Sequence, residues 1–538
     1  MKKLLAILLA AVMVAGLLAG CTTGAKGGEM NWNLGSAGPK TIDPGLCGAS
    51  DGGDLINNMF EGLIREKSGV VQPGIAKSWE TSEDGKTVTF NLRRSKWSDG
   101  SKLTAHDFVY AWLRAMDPET ASEYAWLWHY TNVVGAEDYV DGVGGPEGVG
   151  IRAVDDYTFE VKLIDPTDYF VSLMSFYTFM PVKKEAVEAA GGEEGLWAAT
   201  PELAITNGPF KLTEYTIGEG LKLEANENYW NKKEVGLSAI NVKFIDDENT
   251  AYQAYQSGEL DFIPSVPTAE VPKLIAEDPN FYVFPLLGTY YYNFNMDLDI
   301  WSDVRVRRAM ALAIDRETIC ETLGAGQVPA GGFVPPGFID ADGNDFFETA
   351  GTYGLVTDDS KVAEAQALMA EAGYPNGEGF PEFVMMYNTS EGHQTVAELI
   401  QEMFKTNLGI TCTLENQEWA VFQDTRTQGD YELARGGWLT DFMDPMGMLA
   451  IFKNLDVAYN DPNYYNADYE AALNRASSAV DSKAHFDALY EAQEILMTDM
   501  PIIPVYHYSD TMLVSDKVEG WDRSVLGSLD FSTATISE

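Results

Sequence analysis

The sequence predicts a multidomain fold in which α-helices and β-strands are mixed. The chain has 538 residues, and chains beyond ~250–300 residues normally divide into domains. Hydrophobic residues make up 45% of the chain and charged residues 22%, values that are typical of globular proteins and exclude wholesale disorder, collagen and coiled coil. Strand-like and helical segments are interleaved without one repeating βα period or an internal repeat, which favours an α/β architecture of several domains.

Individual elements follow from local patterns. Residues 87–92 alternate between polar and apolar side chains, which predicts a strand, and a further hairpin region is expected over 154–163. Thr104 and Asp107 have the spacing of a helix N-cap and its N3 partner. The remaining patterns predict a loop over 141–150, helices over 360–372, 396–408 and 466–499, and a strand over 410–414.

The first segment is typical of an exported lipoprotein. Two lysines precede an apolar run over 4–20, which is short for a membrane span. The run ends at Leu18-Ala19-Gly20-Cys21, which looks like a bacterial lipobox, so Cys21 would be lipidated. We predict a signal peptide over 1–20, a tether over 21–29 and a body at the outer face of the cytoplasmic membrane. The alternative is an ordinary signal peptide with a chance cysteine.

Charge and cysteine content narrow the partners. Lys and Arg total 36 against 82 Asp and Glu, a net charge of −46, which repels phosphate backbones and argues against a nucleic-acid partner. Besides Cys21, the cysteines are Cys47, Cys320 and Cys412, an odd number without CxxC spacing. At most one disulfide can form among them, and neither a metal site nor a cofactor is predicted. We expect a monomer.

Few patterns point to catalysis. Residues 48–52 match the GxSxG hydrolase elbow around Ser50, which needs a strand before the serine, a helix after it and a histidine. With 50 glycines in the chain, a chance match in a surface or cleft loop is the preferred interpretation. Residues 340–345 are rich in aspartate but lack the spacing of a calcium loop, so we interpret them as an acidic turn.

Aromatic residues in polar or glycine-rich settings are more informative. Such settings surround 290–292, Trp419, Trp438 and 506–508. Aromatic walls with a few polar anchors suit a ligand cleft, although core and inter-domain packing is the alternative for each ring. Two glycines precede Trp438, which favours a loop that a ligand approaches closely.

Short blocks along the chain match a known family in order. They are 41–44 (TIDP), 60–63 (FEGL), 75–80 (IAKSWE), 84–90 (DGKTVTF), 97–100 (WSDG), 207–210 (NGPF), 228–230 (NYW), 303–309 (DVRVRRA), 315–316 (DR) and 503–506 (IPVY). With these blocks the chain resembles the extracellular solute-binding proteins of family 5, the peptide-binding lipoproteins of ABC importers, and most of all their oligopeptide-binding branch.

The resemblance implies a two-lobed, periplasmic-binding-protein-like fold of type II, with an additional third domain and a ligand cleft between the lobes. Peptide would be enclosed between domains I and III by hinge closure. The implied boundaries are 30–60, 207–287 and 509–538 for domain I, 61–206 for domain II and 288–508 for domain III.

The resemblance also implies roles for individual residues. Residues 435–441 (RGGWLTD) resemble the motif RxGWxxD, whose aspartate pairs with the peptide α-ammonium, and Asp441 is its match. The other implied contacts are His393, Arg426 and Arg435 for the peptide C-terminus, and Ser50, Tyr124, Tyr290, Trp419, Trp438 and Tyr506 for the pocket walls. The loop 45–50 lacks a glutamate of some relatives, Tyr292 replaces an acidic residue and Leu323 replaces a lysine, so preferences for charged side chains or tripeptide length stay open.

Physical requirements agree with this assignment. A receptor that accepts many peptide sequences must bind what all peptides share, namely an ammonium, a carboxylate and a repeating backbone. We therefore expect a non-catalytic lipoprotein that captures short peptides and delivers them to the membrane permease subunits of an ABC importer. The alternatives are the same scaffold binding nickel, a sugar or an opine, and a surface hydrolase that uses Ser50.

Overall fold

The computed structural model describes residues 27–36, 38–67, 70–167, 169–191, 195–355, 359–455, 457, 459–479 and 481–537. The predicted signal peptide, Cys21 and most of the predicted tether lie outside the described residues. Helices and strands are mixed throughout the described part, as the sequence predicts. None of the helices in these ranges has the length and apolarity needed to cross a membrane.

One large mixed sheet of 11 strands runs through the molecule. Pairing is parallel on both sides of Glu29–Asn33 and of Phe383–Asn388, and antiparallel elsewhere. From one edge to the other the strands are Phe210–Thr216, Gly220–Ala225, Ala239–Lys243, Glu29–Asn33, Phe262–Ile263, Ile502–Val514, Phe281–Phe294, Leu433–Leu439, Phe383–Asn388 and Cys412–Gln417, with Val328–Pro329 beside Ile502–Val514.

Two long antiparallel strands, Phe281–Phe294 and Ile502–Val514, join the two halves of this sheet, and we call them the hinge strands. Their register shifts between Pro285 and Thr289, and an irregularity of this kind bends a strand pair. The boundaries predicted after 287 and 508 fall within the hinge strands, close to this shift. The exact domain limits stay a prediction.

A second, four-stranded antiparallel sheet lies within the segment 61–206. Its strands, in spatial order, are Ala76–Thr81, Thr87–Leu92, Thr158–Lys162 and Ile151–Asp155. Phe159 packs edge-on against Trp112 of the helix Ala105–Met116, with ring centroids 4.9 Å apart. Short two-stranded pairs complete the strands: Ile64–Lys67 with Val70–Pro73, Ser95–Lys96 with Lys102–Leu103, Val518–Glu519 with Thr535–Ile536, and Asp522–Arg523 with Leu529–Asp530.

The α-helices alternate with these strands along the chain. Besides Ala105–Met116 they are Ser50–Met59, Ala136–Val140, Phe170–Leu173, Lys184–Ala189, Glu248–Ser257, Val271–Glu277, Val304–Leu312, Arg316–Leu323, Phe346–Ala350, Asp359–Glu371, Glu391–Met403, Trp419–Thr427, Met446–Leu449, Ala467–Ser477 and Ser482–Asp499. A 3-10 helix over Ala125–Tyr130 follows Tyr124.

Most local predictions are confirmed. The strand Thr87–Leu92 alternates between half-buried and buried residues, the hairpin lies at Ile151–Asp155 and Thr158–Lys162, and Thr104 with Asp107 forms a capping box. Asp340 accepts hydrogen bonds from the backbone N–H groups of Asp342 and Asn344, which makes the predicted acidic turn. The loop 141–150 contains one short 3-10 turn, and the helix expected over 360–372 is Asp359–Glu371.

Three predicted elements differ in extent. The helix expected over 396–408 begins at Glu391 and changes to a π-helix over Phe404–Leu408, where both terminal apolar residues are buried. The strand expected over 410–414 runs over Cys412–Gln417. The helical stretch 466–499 is two helices, because Asp481 takes an extended backbone and its carboxylate caps the second helix at Ala484 N–H. Cys47, Cys320 and Cys412 are buried free thiols, so no disulfide joins them.

A buried ion pair joins the segment 41–47 to the four-stranded-sheet domain. Both Asp43 oxygens accept hydrogen bonds from the Arg114 guanidinium, at 2.9 and 2.8 Å, and Trp197 Nε1 donates to Asp43 Oδ2 at 2.7 Å. The Asp43 side chain is fully buried and that of Arg114 is 7% exposed. The aspartate of the TIDP block therefore fixes the loop 45–50 that follows it.

We predict that Asp43→Asn lowers the free energy of unfolding by ~3–5 kcal/mol, because it leaves the Arg114 cation buried without an opposite charge. Urea denaturation followed by tryptophan fluorescence measures the change. Arg152→Ala is the control, because Arg152 pairs with Glu160 on the surface and exposed pairs contribute little. Equal denaturation midpoints for Asp43→Asn and the wild type would contradict the prediction.

Candidate functional site

The strand Leu433–Leu439 carries the RGGW sequence and lies beside the first hinge strand. Gly437 is opposite Tyr290 and Arg435 is opposite Tyr292, whereas Trp438 is opposite Thr289. Since directly opposed residues point to the same face of a sheet, Arg435 and Trp438 lie on opposite faces. The two glycines are required by close packing: a Cβ on Gly436 would lie 2.5 Å from the Tyr291 ring, and one on Gly437 would lie 2.3 Å from Tyr508 Oη.

One edge of this strand is open. Thr440 N–H donates to Leu287 C=O at 2.8 Å, so by the alternation of an antiparallel ladder the backbone groups of Gly437 and Leu439 point to the other edge. On that side the register with Phe383–Asn388 ends at Ala434. The described strand therefore presents unpaired backbone donors and acceptors along the stretch between Arg435 and Asp441, the geometry to which an extended chain adds by β-pairing.

Asp441 lies at one end of this open edge. Its side chain is buried, Oδ1 accepts a hydrogen bond from Tyr124 Oη at 3.1 Å, and Oδ2 is buried without a hydrogen-bond partner in the described structure. Burial raises the pKa of Asp441 to about 7, and the hydrogen bond from Tyr124 opposes this shift. A buried carboxylate oxygen of this kind suits a cationic donor.

Aromatic rings from both sides of the cleft meet beside Asp441. Trp126 contacts Trp438 and Tyr459 with centroid distances of 5.9 and 5.7 Å, and Trp438 contacts Tyr459 at 5.0 Å. Trp438 Nε1 donates to Gly447 C=O at 2.7 Å, which fixes the indole ring. Trp126 follows Tyr124 in the segment 61–206, so these rings join that segment to the RGGW strand.

Further contacts hold the same two parts together. Tyr169 stacks on Phe442 with centroids 5.2 Å apart, and Asn132 Nδ2 donates to Ser477 C=O at 3.2 Å. The cleft between them is therefore closed in this structure.

Arg435 lies at the other end of the open edge. Its Nη2 donates to Tyr508 Oη at 2.8 Å, and its guanidinium carbon lies 5.0 Å from the Tyr290 ring centroid. None of the ion pairs found among the described residues includes Arg435. Tyr506 stacks on Tyr290 at 4.6 Å, so the guanidinium lies over an aromatic wall and retains its positive charge for a ligand.

His393 is close to Arg435 and Tyr290. The His393 and Tyr290 ring centroids are 5.5 Å apart. Burial, with a smaller contribution from the Arg435 charge, lowers the pKa of His393 to about 3. The imidazole is therefore neutral at pH 7, and it offers a hydrogen bond rather than a positive charge.

Arg426 is placed differently from Arg435. Its Nε pairs with Asp461 Oδ2 at 2.9 Å, and both side chains are largely buried, with 13% and 5% exposed. Tyr431 Oη donates to Asp461 C=O at 2.7 Å. Arg426 is thus already neutralised within the protein. Trp419 is the first residue of the helix that carries Arg426, and its side chain lies outside the described part of the structure.

The structure does not give Ser50 the setting of a hydrolase elbow. Ser50 is exposed and begins the helix Ser50–Met59, but residues 38–49 before it contain no strand. His507, on the other face of the second hinge strand from Tyr506, bonds Thr289 Oγ1 through Nδ1 at 2.8 Å. The elbow needs a strand–turn–helix connection to expose its serine. The strand is missing from residues 38–49, which argues against a hydrolase site at Ser50.

Several residues to which the resemblance assigned no role belong to the walls of the site. Trp126 and Tyr459 flank Trp438. The ring centroids of Tyr177 and Tyr124 are 5.9 Å apart. Tyr508 accepts a hydrogen bond from Arg435. Tyr508 belongs to the aromatic segment 506–508 that the sequence analysis named, although only Tyr506 was assigned to the pocket walls. Tyr459 follows no local pattern, since it lies in an irregular segment.

Two lobes joined by the hinge strands, an additional domain and a site between them define a type II binding protein. Residues 70–460 match the bacterial extracellular solute-binding proteins, family 5 Middle, and the chain belongs to this family. The oligopeptide-binding protein OppA of Bacillus subtilis (strain 168) is 34% identical over 509 residues, which covers 92% of this chain and 90% of that protein.

Solved structures are similar over almost the whole chain. The complex of Haemophilus influenzae OppA with RPPGFSPFR has a TM-score of 0.84 and 32% identity, and covers 96% of this chain and 100% of that chain. The Escherichia coli murein tripeptide binding protein MppA has a TM-score of 0.83 at the same identity and coverage. The unliganded open form of MppA has a TM-score of only 0.72, with 32% identity and coverage of 96% and 99%. The difference agrees with the closed cleft described above.

Proposed function

We propose that this protein binds short peptides in the cleft between its lobes and delivers them to the permease of an ABC importer. The observation that carries the proposal is the buried Oδ2 of Asp441, which lacks a partner at one end of an open strand edge. An α-ammonium group supplies the charge and the donors that this oxygen lacks. Names of relatives that include oligopeptide binding, and a solved relative in complex with a peptide, support the same assignment.

The rest of the edge matches the other features that all peptides share. Gly437 and Leu439 offer backbone groups for β-pairing, and Arg435 offers a positive charge for a carboxylate. Arg435 and Asp441 are six positions apart, a span of at most ~20 Å in extended conformation. An extended peptide of about six residues has this length, and a shorter one fits within it. Side chains would project alternately toward the Tyr290 face and the Trp438 face.

We predict that Asp441→Asn weakens binding of a tetrapeptide by roughly 30-fold or more, because truncating one partner of a buried charge pair costs ~2–5 kcal/mol. N-acetylation of the peptide should cause a similar loss in the wild type and little further loss in the variant. Isothermal titration calorimetry measures both affinities. Unchanged affinity in both experiments would sink the assignment of Asp441.

The pH dependence gives an independent check on Asp441. With the pKa of Asp441 at about 7, the carboxylate is protonated at lower pH and cannot pair with an ammonium. Wild-type affinity should therefore fall as pH decreases from 8 to 5, by up to ~10-fold per unit, and Asp441→Asn should flatten this dependence.

Mass spectrometry of the recovered peptide should show it intact, because we propose a receptor without catalytic activity. Cleavage that Ser50→Ala abolishes would contradict that part.

For the peptide C-terminus we predict that Arg435→Ala weakens binding more than Arg426→Ala. Arg435 has no carboxylate partner among the described ion pairs, whereas Arg426 is paired with Asp461. C-terminal amidation of the peptide should reduce affinity for the wild type and add little to the loss in Arg435→Ala.

Calorimetry with di- to pentapeptides also tests His393→Ala, which should weaken the binding of one peptide length more than that of the others. Equal losses for all three variants at every length would count against these roles.

We further propose that Cys21 is lipidated and holds the protein at the outer face of the cytoplasmic membrane. The lipobox sequence Leu18-Ala19-Gly20-Cys21 supports this assignment. Cys21→Ala should release the exported protein from the membrane fraction, as measured by immunoblotting of fractionated cells. A variant that stays in the membrane fraction would mean that another feature anchors the protein.

A further inference from the structure

A second cavity lies at the end of the hinge strands that carries Tyr282 and Phe284, separate from the Asp441 end of the cleft. It has a volume of about 430 Å³ and is lined by Tyr282, Phe284, Trp521, Asp522, Arg523 and Val525. Tyr282 and Phe284 come from the first hinge strand, and the other lining residues come from the segment that leads into and follows the strand Asp522–Arg523.

Three aromatic rings shape this cavity. Tyr282 and Phe284 are nearly parallel, with centroids 6.0 Å apart and an interplanar angle of 13°. Trp521 stands edge-on to both rings, with centroid distances of 5.2 and 5.9 Å. Tyr282 is 36% exposed, so the aromatic faces are accessible. Tryptophan, tyrosine and phenylalanine faces attract cations.

The charged groups around the cavity are mostly acidic. Asp522 and Arg523 line it, and Arg523 is ion-paired with Asp510, which lies opposite Phe284 in the hinge-strand register. The helix Ser50–Met59 contributes Asp54, whose carboxyl interacts with the Arg523 charge. Asp510 and Asp522 thus outnumber the Arg523 guanidinium among the charged groups at the cavity. An added positive charge would be favourable here.

The second hinge strand connects the surroundings of the cavity with the Arg435 end of the peptide site. Tyr506, Tyr508 and Asp510 alternate along the second hinge strand and so share one of its faces. Arg435 donates a hydrogen bond to Tyr508, and Arg523 forms an ion pair with Asp510. Since residues two apart on a strand are separated by ~6.6 Å, a peptide residue near Arg435 can extend its side chain to the aromatic rings.

We propose that this cavity is a subsite for a basic side chain, lysine or arginine, near the C-terminal end of a bound peptide. The proposal rests on the proposed peptide-binding function and names a substrate class for it, peptides with a basic residue at one defined position. The aromatic faces and the carboxylates bind the cation.

The experiment compares pentaalanine peptides in which one position is arginine or its neutral isostere citrulline, scanned over all positions. Citrulline keeps the shape of the side chain and removes its charge. The general field of the protein, with a net charge of −46, favours arginine at every position alike, so the subsite is read from the position dependence. We expect arginine to be preferred by roughly 10-fold at one position in the C-terminal half, measured by calorimetry.

Single substitutions test whether this cavity is the source of the preference for arginine over citrulline. Asp522→Asn and Trp521→Leu should reduce the arginine-to-citrulline ratio at that position toward one, and Trp521→Phe should keep most of it. Asp246→Asn is the matched control, because it removes one negative charge from an exposed residue of the same lobe outside the cavity. Its ratio should equal that of the wild type.

The outcomes separate the two proposals. If arginine and citrulline peptides bind equally well at every position, the subsite is wrong and peptide binding stands. If the preference exists but survives both Asp522→Asn and Trp521→Leu, the cavity is not its source and the subsite is again wrong. If no peptide of the set binds, the proposed function and the subsite are both wrong.

Discussion

The hinge strands Phe281–Phe294 and Ile502–Val514 position the Arg435 end of the candidate binding site. Tyr290, Tyr506 and Tyr508 project from them, and the strand with the RGGW sequence is hydrogen-bonded to the first of them. The same two strands continue past the register shift into the other lobe, where Phe284 and Asp510 lie opposite each other. A bend at the shift therefore moves the lobes while each half of the site keeps its internal geometry. Such a pair provides hinge motion without loss of a preformed site.

Buried charges fall into two groups that differ in their partners. Asp43 with Arg114, and Arg426 with Asp461, are compensated pairs within the protein. Asp441 and Arg435 are also largely shielded, but neither has an opposite charge among the described ion pairs. Because burial of an unpaired charge is costly, the first group serves the fold. The second group has the electrostatics of a site that a zwitterionic ligand completes.

The sequence was informative wherever structure follows from near neighbours. The capping box at Thr104, the alternation over 87–92 and the acidic turn after Asp340 depend on residues a few positions apart, and the structure confirms them. The order of the family blocks implied the two-lobed fold, which the relatives and the solved structures show. The division of the helical stretch after 466 escaped prediction, because the side-chain cap at Asp481 competes with an otherwise continuous helical pattern.

The candidate site was less predictable, because its contacts are distant in sequence. Tyr124 donates a hydrogen bond to Asp441, which is 317 positions away in the sequence. No local sequence pattern indicates such a contact. Arg426 looked available for a carboxylate until the structure placed Asp461 beside it. The aromatic cavity at Trp521 was also missed, since Tyr282 and Phe284 follow the ordinary alternation of a strand and only the fold brings the indole ring against them.

The open edge beside Gly437 and Leu439 has a consequence for colloidal behaviour. An unpaired strand edge is a template for any extended chain, including another copy of the same protein. Contacts such as that of Trp126 with Trp438 close the cleft over this region, and lobe opening would separate them. Between copies, the net charge of −46 opposes approach and so protects the open state from self-association. The strongly acidic surface thus opposes pairing of this strand edge between copies, while the edge itself stays tolerant of peptide sequence.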